Sequence, residues 1–464
     1  MVQSKWKFTL LMGFTFLGIM VLCFNTFIPR NSVFLLYDAK RVFICSVLLI
    51  SNLIILSDRH WRDRITQQFT ELSLSVGWVL VIFGIFAAIA NFQGIDFWRA
   101  QTDYFYFLGL ALLTAFLSIG FESQKVRLYS YFCWITLLLF LSVSVGFWLR
   151  VYYQLETNIH TIFGFANARF LNQVQVWLII PTLYFTLCFR RKRWLYNALR
   201  FLLCTHVAII FALDARGISI AIITAILIWA KIDKPLRSQI LKLLLFSIIF
   251  GCLLRIVFLA PIPAYLFNDG LWTWPKVRTD SPGRMALWAE AITLSSLLGL
   301  GGDGFVCSSK LFGRPHNSAL LVLVNWGLIP LLCYGFLLLL TLKTVITTYH
   351  RWVRVTGLSV LAGFAYSLVS GVLDSPLSQL LAVISLAIFW SACKKHHPIC
   401  ASHPSKIKHR YLQYGIVGVL LLSSLLTGNK LYLRMTNYPD QKFSVQLKPQ
   451  FWLGYNCSGP ILFK

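Results

Sequence analysis

Apolar runs recur along this chain at a length that crosses a bilayer. Thirteen stretches of roughly 16 to 25 residues carry few charges, close to the ~20 that a spanning helix needs. They fall at about 8–28, 39–57, 73–92, 103–120, 128–149, 172–189, 198–214, 216–231, 239–260, 317–341, 355–373, 376–393 and 411–428. The pattern predicts an all-α polytopic membrane protein with about 12–13 transmembrane helices. Residues 1–260 carry helices 1–9, and 261–316 form one large loop. Residues 317–428 carry helices 10–13, and 429–464 form a short tail. No internal repeat or low-complexity segment interrupts this plan.

Composition agrees. The chain is 58% hydrophobic and only 12% charged, against about 25% charged for a soluble domain. A net charge of +26 suggests nucleic acid in a soluble protein. Here it is read as Lys and Arg in cytoplasmic loops, facing anionic partners at the membrane and no nucleic acid. The N-terminus, "MVQSKWK" before "FTLLMGFTFLGIMVLCF", has a basic head and an apolar body with no A-x-A-like site. It reads as an uncleaved first span. The eleven cysteines show no CxxC pair and no metal-ligand spacing, which argues against cysteine chemistry. Cys307 and Cys457 fall outside the spans on one side, where a disulfide between them can form.

Loop charge sets the orientation. One alternate set of loops and helix ends holds 24 Lys and Arg, all in short segments. The other set holds 17, ten of them in the 261–316 loop and the tail. The N-terminus is therefore expected in the cytoplasm, and the large loop and the tail outside. An irregular loop of that length is usually functional.

Four outside-facing features carry candidate chemistry. In "FALDARGISIAII", Arg216 lies between two apolar runs so close that they form a tight helical hairpin. Gly217 permits the close approach. An arginine at that depth needs a partner or must snorkel; an interfacial anchor paired with Asp214 also accounts for it. In "TDSPGRMALWAEAI", Ser281 is the expected N-cap and Pro282 the first helical residue. Arg284 then stands in a first turn, where a cation opposes the helix dipole and favours a nearby anion. A plain surface arginine is the alternative. In "LLGLGGDGFVCSSKLFGRPHN", glycines 299, 301, 302 and 304 suit either an anion nest or a flexible turn. Finally, His316 opens an apolar run behind Pro315. A neutral imidazole there can act as a general base, or serve only as a hydrogen-bonded interfacial residue. Asn317 can position an acceptor or cap the helix.

Arg216, Arg284, Arg314 and His316 all map to one side. Guanidinium forks suit phosphate. The outside carboxylates Asp269, Asp280, Asp303 and Asp374 are scattered singly, so no metal site is expected. The simplest chemistry is a metal-free site whose arginines hold a diphosphate leaving group.

At these residues the chain resembles the O-antigen ligase and polymerase superfamily of bacterial inner membranes. "DARGISIAIITAILIWA" looks like its Arg-Gly helix start. "SPGRMALWAEAITLSSLLGLGGDGF" looks like its arginine helix and glycine turn, and "PHNSALLVLVNWGLIPLL" like its His-Asn helix. "GFANARFLNQVQVW" resembles its Gly/Asn-rich periplasmic entry to a span. The resemblance implies transfer of a glycan from undecaprenyl diphosphate to an acceptor hydroxyl, without a cofactor. Arg216 and Arg284 then bind the diphosphate and His316 activates the acceptor. Asn317, Arg314 and Arg169 are candidates for positioning. The site is implied to be periplasmic. Two positions depart from the family pattern: Ala215 replaces a common Ser, and Asp303 interrupts the glycine turn. The thirteenth span also exceeds the twelve-span plan of many ligases.

Lipid A-core is the first acceptor considered, with a growing glycan (polymerase) or a protein hydroxyl (oligosaccharyltransferase) as alternatives. A transporter or flippase predicts charges in the middle of several spans. Only Arg255 is expected well inside one.

Overall fold

The structure is a computed structural model. It describes all residues except 1, 26, 28–32, 95, 124–126, 156–161, 268–281, 312–313, 397–405 and 437–464. Every regular element among the described residues is helical. In chain order these are α1 (Val2–Cys23), α2 (Val33–Ser57), α3 (Arg59–Thr70), α4 (Leu74–Phe92), α5 (Phe97–Ser123) and α6 (Leu128–Tyr152). Then come α7 (Ala168–Cys188), α8 (Arg193–Ala212), α9 (Arg216–Ile232), α10 (Arg237–Leu254), α11 (Ile262–Phe267) and α12 (Pro282–Leu294). The last are α13 (Gly304–Ser308), α14 (Ser318–Trp326), α15 (Leu328–Thr347), α16 (Arg351–Ser367), α17 (Pro376–His396) and α18 (Lys406–Thr436). A π turn, Arg255–Leu259, continues α10.

Eleven described helical stretches are long and apolar enough to cross a membrane. α9 and α16, at 17 residues each, reach the lower end of the spanning range. The chain is thus an all-α, multi-pass membrane protein. α5 packs along α17 and α18, while α7 lies among α6, α8 and α16; α9 rests on α16 and α10. One end of the bundle is closed by ion pairs. Arg351 and Arg354 meet Asp233 at 3.1 and 3.6 Å, and Lys394 meets Glu71 at 3.0 Å. The described parts of the 261–316 loop lie at the other end.

Three expectations change. The stretch "DRHWRDR" was expected as loop but opens the amphipathic helix α3. Asp58 caps it by accepting from the His60 amide at 3.0 Å, and Trp61 and Ile65 are buried. Its apolar stripe is too short to register as a span. Arg255 is also not alone among charges inside long helices. Lys40 and Arg41 lie in α2, Arg99 and Asp103 in α5, and Lys430 in α18, all buried. Hydropathy ends a span at a charge, whereas a helix continues where the charge has a partner. Arg41 donates to Gln379 Oε1 at 2.8 Å and to the Asp374 carbonyl at 2.6 Å. Lys40 donates to the carbonyls of Leu36 and Gly164 and lies over the Phe165 ring. These charges cluster toward the loop end.

Third, the expected span 317–341 is two helices, α14 and α15, broken at Gly327. There φ is +92°, a conformation that side chains strongly disfavour. The break turns carbonyls sideways. Val324 O accepts from the Leu300 amide at 2.8 Å, Asn325 O from Gly301 at 2.7 Å, and Leu297 O from the Leu328 amide at 3.0 Å. The glycine-rich segment therefore docks into a broken helix. A Cβ on Gly327 would meet Leu297 O at 2.3 Å. Gly327→Ala is expected to cost at least about 2 kcal/mol, read as an earlier thermal unfolding transition of the detergent-solubilised protein; an unchanged transition contradicts this role of the break.

Candidate functional site

At the loop end a cavity of about 1770 Å³ opens between the entry to α7, the α8–α9 turn, α12 and α16. Arg169, Arg216, Arg284 and His316 all line it. Residues separated by up to 147 positions in sequence are thus gathered at one site. Below the arginines the cavity continues between α9, α15 and α16 past Ile220, Thr224, Ile228, Leu338 and Leu342. The run from Arg216 to Ile228 is about 18 Å of helix at 1.5 Å per residue. The cavity has a cationic head and an apolar groove.

Local chain geometry aims each cation. Asn167 caps α7, accepting from the Arg169 amide at 2.9 Å, and leaves Arg169 in the exposed first turn. Asp214 adopts a left-handed conformation, φ 48°, which closes the α8–α9 hairpin. Arg216 begins α9, with its Nε 3.9 Å from Asp214 Oδ1. Gly217 has the close approach expected of it: a Cβ there would meet the Tyr366 ring and Val369 at 2.9 Å. Arg284 sits in the first turn of α12, as expected, and α12 begins at Pro282; the expected cap, Ser281, lies outside the described residues, as do Asp269 and Asp280. The Arg284 Nε is buried without a hydrogen-bond partner, so it is not a plain surface arginine.

His316 is held in the left-handed region at φ 51°. Such a conformation persists only where the surroundings enforce it. The preceding Pro315 is buried, and its carbonyl accepts from Trp288 Nε1 at 2.7 Å, tying the histidine loop to α12. Asn317 is the N-cap of α14, accepting from Ala319 and Leu320 at 3.0 and 3.2 Å. Of its two expected roles the structure shows the cap, and Asn317 does not line the cavity.

Arg314 stands behind the cavity rather than on its wall. Its guanidinium meets Asp303 at 2.6 Å and Asp374 at 3.6 Å. Arg99 binds the same buried Asp303 at 3.2 Å. Asp303 and Asp374, single in sequence, are thus joined by one arginine. The glycine turn is no anion nest. The amides of Gly299, Gly302 and Gly304 donate to Ser296 Oγ, Asn91 Oδ1 and Gly301 O at 2.9 Å each, and those of residues 300 and 301 go to the helix break. Packing consumes the donors that an anion needs.

Asp374, a single outside carboxylate by sequence, stands beside the histidine. A Cβ on Gly371 would meet His316 Nδ1 at 3.2 Å and Asp374 Oδ2 at 3.1 Å. Imidazole and carboxylate therefore converge on a position where any side chain would crowd both. The available signal was its place just before a span on the same side as His316.

The charges fix protonation. Burial lowers the His316 pKa below its ordinary 6.5; Asp374 opposes this, and Arg169, Arg284 and Arg314 add to the lowering. The imidazole is neutral at pH 7. Burial and then the like charges of Arg169 and Arg216 pull Arg284 below the usual arginine value. Burial alone would raise Asp303, but Arg314 and Arg99 hold it below the usual carboxylate range. The cavity wall carries three guanidiniums against one carboxylate, Asp214, and so favours an anion. Among the described residues no group of three or more His, Cys, Asp or Glu is placed to hold a metal ion.

Fold and site together define a multi-pass helical membrane protein with an arginine-lined cavity at one end. Comparison with protein-family models, with curated proteins and with solved structures found no match to the chain.

Two outcomes follow. Asp303→Asn leaves two buried guanidiniums without this carboxylate and is expected to destabilise the fold by about 3–5 kcal/mol, measured by thermal unfolding. In histidine ¹³C NMR, His316 should titrate below pH 6.5, and Asp374→Asn should lower its midpoint further, because the carboxylate supports the imidazolium. The sign for stability is the same: His316 costs nothing above pH 6.5, and its resistance to protonation weakens the fold as pH falls below that value. A midpoint at or above 6.5 contradicts this electrostatic picture.

Proposed function

We propose that this protein is a glycan transferase of the O-antigen ligase type. It moves a glycan from undecaprenyl diphosphate to an acceptor hydroxyl, with lipid A-core as the acceptor. One observation carries the reading: three guanidiniums and a neutral imidazole share a cavity that continues as an apolar groove among the helices. A diphosphate on a polyprenyl chain has that same division into anionic head and apolar tail.

In this mechanism Arg216 and Arg284 hold the diphosphate, and Arg169 adds a third cation. The acceptor oxygen attacks the anomeric carbon as the bond from that carbon to the diphosphate oxygen breaks. His316 takes the acceptor proton, and the guanidiniums stabilise the charge growing on the leaving diphosphate. A single displacement inverts the carbon. The donor bond supplies the driving force, so the step needs no ATP, and the reading invokes no metal and no cofactor.

The proposed setting is the bacterial inner membrane, with a cytoplasmic N-terminus and a periplasmic site. Support comes from the Lys/Arg excess in the short loops opposite the cavity. Cys307, on the cavity side, is in a disulfide, which suits an oxidising compartment. Cys457 lies outside the described residues.

The test is a gel profile of lipopolysaccharide from cells carrying His316→Ala. Loss of the ladder with accumulation of lipid-linked polymer is the expected result. Collapse to core plus one repeat unit assigns a polymerase instead, and an unchanged ladder rejects both and turns attention to glycoproteins. Arg216→Ala and Arg284→Ala should each reduce transfer by roughly 10²-fold.

A further inference from the structure

A further cation, remote from the cavity wall, forms no ion pair with an acidic residue among the described residues. Arg255 lies in the π turn that ends the α10 span and is only 7% exposed. Its Nε is buried without a hydrogen-bond partner. The face it occupies is turned inward: Leu259 is fully buried, and a Cβ on Gly251 would meet Val207 of α8 at 2.6 Å. A guanidinium in a membrane span is costly and ordinarily has a partner.

Its depth is informative. From Arg237 to Arg255 is about 27 Å of helix, against a hydrocarbon thickness of about 30 Å. α10 starts at the end opposite the cavity, so Arg255 reaches the headgroup level on the cavity side. The adjoining helix α6 presents a second donor there. Trp148 Nε1 is also buried without a partner, and the Trp148 ring lies 5.7 Å from Phe258 of the π turn. Leu253, Val257 and Phe258 are exposed beside Arg255. Two donors thus stand on adjoining elements, the π turn and α6, behind an apolar outer surface.

We propose that Arg255 and Trp148 form a lipid-binding site that holds the phosphodiester of a membrane lipid headgroup. A phosphate supplies only acceptor oxygens and matches the guanidinium fork. The apolar surround places the approach from the bilayer rather than from water. Arg255 does not line the arginine cavity, so this site is independent of the proposed transfer reaction.

The test uses the full-length protein in detergent, titrated with phosphatidylglycerol and read by native mass spectrometry. Diacylglycerol, which lacks the phosphate, is the control lipid. Arg255→Gln is expected to weaken phosphatidylglycerol binding at least about tenfold, the loss of one charge-assisted hydrogen bond. Trp148→Phe keeps the ring and should weaken it less. Should Arg255→Gln fail to fold, Arg255→Lys, which keeps the charge without the fork, should still bind measurably more weakly than wild type. Excess inorganic phosphate should leave lipid binding unchanged; displacement assigns the site to a soluble phosphate and overturns the lipid assignment. Equal binding by wild type and a folded Arg255 variant, or equal retention of diacylglycerol, overturns the site altogether.

Discussion

The carboxylate of Asp303 is the point on which the loop end of this molecule depends. It is fully buried between two guanidiniums from distant parts of the chain, Arg99 on α5 and Arg314 of the histidine loop. An isolated buried charge is strongly unfavourable, so the three groups must assemble together or not at all. Asp303 itself adopts a left-handed backbone conformation, φ 56°, that the cluster holds in place. Through Arg314 the cluster reaches Asp374, and through Asp374 the face of His316. One ionic assembly thus positions the glycine segment, the histidine loop and the turn before α17 with respect to one another.

The cavity and the cluster divide the cations between two duties. Arg314 neutralises carboxylates and serves as scaffold. Arg169, Arg216 and Arg284 line open space with only Asp214 among them. All four arginines look alike in sequence. What separates them is the burial of their partners, which only the folded chain determines. The same holds for Asp374, whose closeness to His316 depends on a glycine in the turn between two helices.

The sequence was most legible where its pattern is long. Most of the spans, the α8–α9 hairpin at Arg216, the start of α12 at Pro282 and the common side of Arg216, Arg284 and His316 follow from periodicity, turn chemistry and loop charge; Arg169 entered only through the resemblance, and Arg314 stands behind the cavity. It was least legible where a local pattern has two physical solutions. The apolar run 317–341 reads equally as one helix or two, and Gly327 alone does not decide; the break exists because the glycine segment supplies amides for the freed carbonyls. The glycines 299–304 read as an anion nest until those same amides are counted as donors to the helix. Arg41 fell at the edge of its expected span and Arg99 outside its own because their partners, Gln379 and Asp303, lie hundreds of positions away.

The start of α14 has one more effect on the histidine. α14 is a helix of nine residues, and His316 lies just ahead of its N-cap. The positive end of the α14 peptide dipoles lies next to His316 in the chain, a bias against protonation of about 0.3–1 kcal/mol. Unlike the arginines, whose charges an arriving anion can offset, this field belongs to the backbone. It persists whether or not the cavity is filled, and it biases the ring toward its neutral form in both states.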